Sequence, residues 1–235
     1  MGLTESTVSL LASWGAGVLL PAVVTAVIAY LCGCFNGAVI VSKYILWDDV
    51  RTHGSGNAGL TNFFRTFGGP LTFVVILTDV LKAIVAILIS LWLGGMFDPR
   101  LLPTAPLENQ AMVLVFFKYW GGLFCLLGHM FPCMFHFKGG KGILSGGTIA
   151  IMIDWRVALV VWGGFLILAV LTRYVSLGSC WAGASFPFIT WFVYRSVPVT
   201  VLSVIIGGLI LYMHRGNIHR LLTGTENKFT LHKKS

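Results

Sequence analysis

Long apolar stretches alternate with short segments dense in glycine, hydroxyl and basic side chains along nearly the whole chain. The apolar stretches fall at about 15–42, 70–95, 111–135, 142–153, 157–171, 177–194 and 197–213. A helix needs roughly 20 apolar residues to cross the hydrocarbon core of a bilayer. The spacing therefore predicts an all-α integral membrane protein with seven transmembrane helices. The fourth stretch is short for a crossing; without it the count falls to six and both termini face the same side. Little is left over for a soluble domain, so residues 1–235 read as a single membrane domain.

Composition agrees with this. Hydrophobic residues make up 57% of the chain, charged residues 10%, and the mean hydropathy is +0.87, far from a soluble domain, where about a quarter of residues are charged. The net charge of +8 is unevenly placed. With seven spans, one side collects Lys43, Arg51, Arg65, Lys138, Lys141, Arg173, Arg215, Arg220, Lys228, Lys233 and Lys234, and the other only Arg100, Arg156 and Arg195. Lys and Arg accumulate on the cytoplasmic side, so the N-terminus is expected outside and the C-terminus in the cytoplasm. Met-Gly-x-x-x-Ser at the start fits a myristoylation pattern, which an outward N-terminus makes a chance match. The segment before the first span has no basic n-region, and the apolar run after it is too long for a cleaved signal peptide. The five cysteines, Cys32, Cys34, Cys125, Cys133 and Cys180, lack zinc-site spacing and read as small buried hydrophobes.

Charge in a bilayer is expensive and usually functional, which directs attention to four polar segments: 53–69, 128–142, 173–179 and 214–229. In the topology above all four meet at the cytoplasmic face, as one site would require. Lys138-Gly139-Gly140-Lys141-Gly142 combines backbone N–H groups, close approach and two ammonium groups, a set suited to phosphate. Gly54-Ser55-Gly56-Asn57-Ala58-Gly59 adds a second glycine-rich turn with hydroxyl and amide donors, followed by Arg65, whose planar fork grips phosphate with two bonds. Two cradles suggest two phosphorylated groups. Carboxylates are scarce nearby, so an anion is attracted, a metal lacks ligands, and no cofactor is expected. Gly54, Gly56 and Gly59 spell GxGxxG, but no βαβ unit surrounds them; Gly140-Lys141 lacks the other members of a Walker A loop. None of the histidines begins the HxxxxD dyad of soluble-type glycerolipid acyltransferases.

In order and spacing, GSGNAGLTN with Arg65, GHMFPCMFHFKGGKG, RYVSLGS, and HRGNIHRLL with GTENKF resemble the bacterial acyl-phosphate:glycerol-3-phosphate acyltransferase family (PlsY type), from about Tyr30 to Phe229. The resemblance implies seven helices with the N-terminus outside, in the bacterial cytoplasmic (inner) membrane. It implies transfer of a fatty acyl group from acyl phosphate to the 1-hydroxyl of glycerol 3-phosphate, giving lysophosphatidic acid and inorganic phosphate, the first acylation of phospholipid synthesis. Acyl phosphate, glycerol 3-phosphate and membrane lipid are then the partners, nucleic acid is not, and a functional link to an acyl-phosphate-producing enzyme follows. By the same resemblance Ser55, Arg65, Lys141, Ser179, His214 and Asn217 line the site. Lys141 and Arg65 would hold phosphates, the N–H groups of Gly139, Gly140 and Gly142 would take phosphate oxygens, and Ser55, Ser179, His214 and Asn217 would orient the acceptor. The resemblance implies a substrate phosphate as proton acceptor, with His214 the protein's candidate base. The chain departs from the family at Cys34, at Gly216 and at Ala83, which ends Asp79-Val80-Leu81-Lys82-Ala83; Asp79 and Lys82 are expected to pair on one helix face. A membrane transporter of organic phosphates is the alternative, opposed by the lack of a detectable internal repeat and by polar motifs gathered on one side.

Overall fold

Helix caps and breaks, as well as hydropathy, decide where each apolar stretch of this chain starts and stops. The structure, a computed structural model, describes residues 5–96 and 107–229. Met1-Gly2, Arg100, His232, Lys233 and Lys234 lie outside the described residues.

The described chain forms ten α-helices and no strand: α1 (Glu5–Cys34), α2 (Gly37–Tyr44), α3 (Leu60–Thr66), α4 (Leu71–Met96), α5 (Leu107–Met130), α6 (Ile143–Ile153), α7 (Trp155–Thr172), α8 (Val175–Tyr194), α9 (Val197–Met213) and α10 (Arg215–Leu222). The first apolar stretch is not one rod, since α1 stops and α2 restarts with a bend of 42°. Asn36 causes the break. Buried at the joint, its Oδ1 accepts the Val39 N–H at 3.1 Å and caps α2, while its Nδ2 donates to the Ala58 carbonyl at 3.0 Å. At the other end of the chain α9 bends by 60° into α10 around His214.

Among the described residues three segments are long and apolar enough to cross a membrane, Leu71–Gly95, Ala111–Phe135 and Trp155–Thr172, or up to five if each bent pair is one span. The fourth apolar stretch becomes α6, whose 11 residues reach about 16 Å, half the roughly 30 Å hydrocarbon core. Asp154 alone separates it from α7, ending α6 and accepting the Arg156 N–H at 2.8 Å as the cap of α7. Outward faces are apolar: Leu77, Leu81, Leu88 and Trp92 on α4, and Leu166, Ile167, Val170 and Leu171 on α7, are all exposed. Contiguous apolar surface of this kind calls for lipid as its solvent, and the protein is a multi-pass membrane protein.

α5 is the central helix, packing on α1, α4, α6 and α9, while α7, α8 and α9 stack in sequence beside it. Its crossing with α1 brings backbone against backbone: a Cβ on Gly33 would overlap the Cys125 carbonyl, and one on Gly128 the Tyr30 carbonyl. Small residues permit such an approach in lipid, where packing, not water, drives association. The Tyr30 hydroxyl closes the crossing by donating to the Phe131 carbonyl at 2.8 Å. Beneath it Tyr119, Phe117, Ile87, Leu126 and Met130 form the buried core, with Tyr119 bonded to Thr190 at 2.8 Å. This core holds the C-terminal end of α5 fixed, and the polar segments gather around that end.

Candidate active site

A cavity of about 920 Å³ opens among the ends of α3, α5, α6, α8 and α10 and draws lining residues from all four polar segments. Asn62 on α3 shapes the first segment: its Nδ2 donates to the carbonyls of Val50 at 2.9 Å and His53 at 3.0 Å, and its Oδ1 accepts the Ser55 N–H at 3.1 Å. Gly54 and Gly56 turn at φ of 55° and 68°, a region that favours glycine. Ser55 is thereby presented to the cavity, which Gly54, Asn57 and the exposed Arg65 also line. Gly56 is spent in the turn, its N–H donating to the His53 carbonyl at 2.9 Å, and does not line the cavity.

The second segment folds back onto the end of α5. The Gly139 N–H donates to the Met130 carbonyl and the Gly140 N–H to the His129 carbonyl, both at 3.1 Å, and the Ala58 N–H reaches the Gly139 carbonyl at 3.4 Å. This corrects the expectation that Gly139 and Gly140 offer N–H groups to phosphate: those donors are consumed by the loop's own fold. Their missing side chains serve packing instead, since a Cβ on Gly140 would overlap the His129 ring and one on Gly139 the His129 carbonyl. Lys138 points away, exposed and outside the cavity lining. Its carbonyl is held by Arg51, which also donates to the Phe135 carbonyl at 2.9 Å and pairs with Asp49 at 2.7 Å. Gly142, at φ 77°, and Lys141 do line the cavity.

Lys141 donates to Asn217 Oδ1, Asn217 Nδ2 donates to Glu226 Oε1 at 2.8 Å, and Arg220 Nε donates to Glu226 Oε2 at 2.7 Å. Burial pushes the Lys141 ammonium below its ordinary value, and the Arg220 charge adds to this. Burial would raise the Glu226 carboxyl, but the bonds from Asn217 and Arg220 outweigh it and hold the group below the usual range. His214 stands at the α9–α10 bend, buried; its Nδ1 donates to the Ile210 carbonyl at 2.8 Å, which leaves Nε2 as the acceptor of a neutral ring. Burial pushes this imidazole down to about 4. The Ser179 hydroxyl, also buried, donates to the Val175 carbonyl at 2.9 Å and keeps its lone pairs for the cavity.

One wall is apolar. Ile143, Leu144, Trp162, Phe165 and Val175 line the cavity, and the first, third and fourth of these also border a small pocket between α6, α7, α8 and α9 with Ala182, Phe186 and Ile206. A headgroup-sized polar chamber thus adjoins a lipid-like wall. Sequence reading missed Asn62, Arg51 and Asn36 as organisers; Arg51 and Asn62 flank the glycine-rich 54–59 turn and Asn36 interrupts an apolar stretch, signals without a partner until the fold supplies one. Asp79 and Lys82 pair at 2.7 Å as expected. Among the described residues no group of three or more His, Cys, Asp or Glu side chains could hold a metal ion.

The sequence profile of the family described as glycerol-3-phosphate acyltransferase matches residues 23–224. A glycerol-3-phosphate acyltransferase of Thermoanaerobacter pseudethanolicus is 36% identical over 207 residues, covering 88% of this chain and 95% of that protein. One of Fusobacterium nucleatum is 34% identical over 203 residues, covering 86% and 95%. Among solved structures, PlsY, an integral membrane glycerol 3-phosphate acyltransferase in its glycerol 3-phosphate form, superposes with a TM-score of 0.74 at 33% identity, over 89% of this chain and 96% of that one. Its lysophosphatidic acid form gives 0.71.

Proposed function

The chain belongs to the glycerol-3-phosphate acyltransferase family, and from that premise we propose how its cavity carries out the reaction. The protein is an acyltransferase that acylates glycerol 3-phosphate to lysophosphatidic acid. The donor in our reading is acyl phosphate and the acceptor is the 1-hydroxyl. The hydroxyl oxygen bonds to the acyl carbonyl carbon, the bond from that carbon to the phosphate oxygen breaks, and inorganic phosphate leaves with the electron pair. A mixed anhydride has a good leaving group, so positioning and charge stabilisation suffice without a covalent intermediate.

The observation that carries this reading is the shared chamber: Ser55, Arg65, Lys141, Ser179, His214 and Asn217 border one cavity that Trp162, Phe165 and Leu144 also line. Lys141 and Arg65 hold phosphates, with Gly54, Asn57 and Gly142 letting substrate approach the backbone. Ser55, Ser179 and Asn217 orient the acceptor. A ring near 4 is a weaker base than a phosphate dianion, whose pKa is about 6, which favours a substrate phosphate as proton acceptor over His214. Glycerol 3-phosphate stays in water while an acyl chain favours lipid by roughly 0.8 kcal/mol per methylene, so both meet at the interface. The same reading makes the chain a single membrane domain with seven crossings, α6 counting as a short one, N-terminus outside and C-terminus cytoplasmic, in the bacterial inner membrane, and links it to an enzyme that makes acyl phosphate.

The test is turnover by purified protein in detergent, where no gradient exists. Acyl phosphate and labelled glycerol 3-phosphate should give lysophosphatidic acid and inorganic phosphate in equal amounts; release of phosphate without lipid product would sink the reading.

A further inference from the structure

Midway along α4 and at the end of α5, Asp79, Lys82 and His129 are buried together, each no more than 6% exposed, and the mechanism above uses none of them. Lys82 Nζ meets three acceptors: Asp79 Oδ1 at 2.7 Å, the Phe35 carbonyl at 3.0 Å and His129 Nδ1 at 2.6 Å. An ammonium has three N–H groups and no lone pair, so it donates to all three and His129 Nδ1 has to accept. The ring proton is thereby assigned to Nε2 and the imidazole is neutral. The cluster as a whole is also neutral, one carboxylate against one ammonium, which suits a region where an uncompensated charge is costly. Ser145 secures the arrangement from α6 by donating to the Asp79 carbonyl at 3.1 Å.

His129 is also a wall residue of the substrate chamber, beside Lys141 and Gly142. Gly140 lies close enough to Nε2 to exclude a Cβ, and no group among the described residues accepts from Nε2–H. A buried imidazole with one nitrogen pinned by an ammonium and the other unpartnered at a cavity wall is a donor waiting for an acceptor. The acceptors that the chamber is built for are phosphate oxygens.

We propose that His129 contacts substrate as a neutral donor, its Nε2–H bonded to a phosphate oxygen of glycerol 3-phosphate or of acyl phosphate, and that Asp79 and Lys82 are positioning residues that fix its tautomer. This rests on the phosphate reading of the cavity. A neutral donor beside Lys141 adds grip without a further buried cation. The tie from Lys82 to the Phe35 carbonyl also connects this donor to the α1–α2 break, whose Asn36 holds the first glycine-rich segment.

Protein labelled with ¹⁵N-histidine, in nanodiscs near neutral pH, tests the proposal without turnover. One imidazole, assigned by its loss in His129→Gln, is expected as the Nε2–H tautomer, and its Nε2 resonance should shift on adding inorganic phosphate, glycerol 3-phosphate or a non-reacting acyl phosphonate. Kinetics supply the second arm. His129→Asn keeps an acceptor toward Lys82 but is too short to reach the cavity, whereas His129→Gln sets an amide donor near the place of Nε2. The Asn variant should raise one KM about ten- to a hundred-fold with kcat less affected, and the Gln variant should recover most of it. A rise in KM for glycerol 3-phosphate or for acyl phosphate identifies which phosphate is held. An Nε2 silent to all three probes in a sample that turns over, or equal KM values for Asn and Gln, overturns the proposal while leaving the enzyme reading intact. A wild-type sample that makes no lysophosphatidic acid refutes that reading instead.

Discussion

Replacing Lys141 with alanine separates the two things this lysine does, holding a ligand and holding Asn217. An ammonium about 4 Å from a phosphate charge is worth roughly 4 kcal/mol at the effective dielectric of a protein site. Water and neighbouring donors recover part of that, so a loss of about 3–4 kcal/mol, near 10²–10³ in kcat/KM, is expected by analogy with removal of one preorganised donor. The structural cost is smaller. Lys141 belongs to a loop and not to the buried core, and the bond it gives Asn217, from a charged donor, is worth about 1.5–3 kcal/mol. Asn217 keeps its second bond, to Glu226. Purified Lys141→Ala assayed with both substrates, beside its circular dichroism and melting curve, reads both quantities at once. A kcat/KM within about threefold of wild type, which is only ~0.6 kcal/mol, in a well-folded sample would refute the assignment of Lys141 to a phosphate.

Arg65→Lys keeps the charge but loses the planar fork, so the KM for at least one substrate should rise about tenfold with kcat nearly unchanged; unchanged KM values for both would contradict a bidentate grip. Asn62→Ala removes three bonds that hold the 53–59 turn, so hydrogen exchange there should quicken and activity fall about tenfold or more; normal exchange would show that the turn shapes itself. Gly128→Val forces a side chain into the Tyr30 carbonyl, and the expected outcome is a sharp loss of folded protein, read by size-exclusion recovery. For His214 the sign follows from its depressed value. The folded ring titrates near 4 and the unfolded one near 6.5, so the unfolded chain binds more protons between them. Stability is then lost as pH falls from about 6.5 toward 4, by about 3 kcal/mol at most. Melting temperatures across that range should show the slope, and His214→Gln should flatten it; an identical slope in the variant would exclude His214 as its source.

Hydropathy made the membrane class and most helix ends legible, because a run of apolar residues bounded by Asp154 or Ser196 has few other places to stop. Hydropathy gave no sign of the division of the first stretch into α1 and α2. Asn36 breaks it by competing for helix bonds and by reaching Ala58, a partner 22 residues away. α3 and α10, of 7 and 8 residues, were invisible for another reason: they lie among the glycine-rich segments that read as loops. Ser55, Arg65, Lys141, Ser179, His214 and Asn217, which border one cavity, all stand in the motifs, yet the motifs do not say how each group is used. Glycine at 139 and 140 suggested open donors, whereas the structure spends those N–H groups on α5 and needs the glycines to make room for His129. A motif states which atoms are near one another. It does not state which are already bonded.

Asp154 is a joint of one residue, closing α6 and opening α7. One additional residue in the first turn of α7 would turn the residues on its two sides by about 100° relative to one another, so Asp154 could not keep its cap on the helix while Trp162 and Phe165 kept their places on the chamber wall. Insertions and deletions in descendants of this gene should therefore be purged at this point and accumulate where a connection has slack. A reading-frame-preserving library of short insertions would display the joint as a gap in the map of survivors.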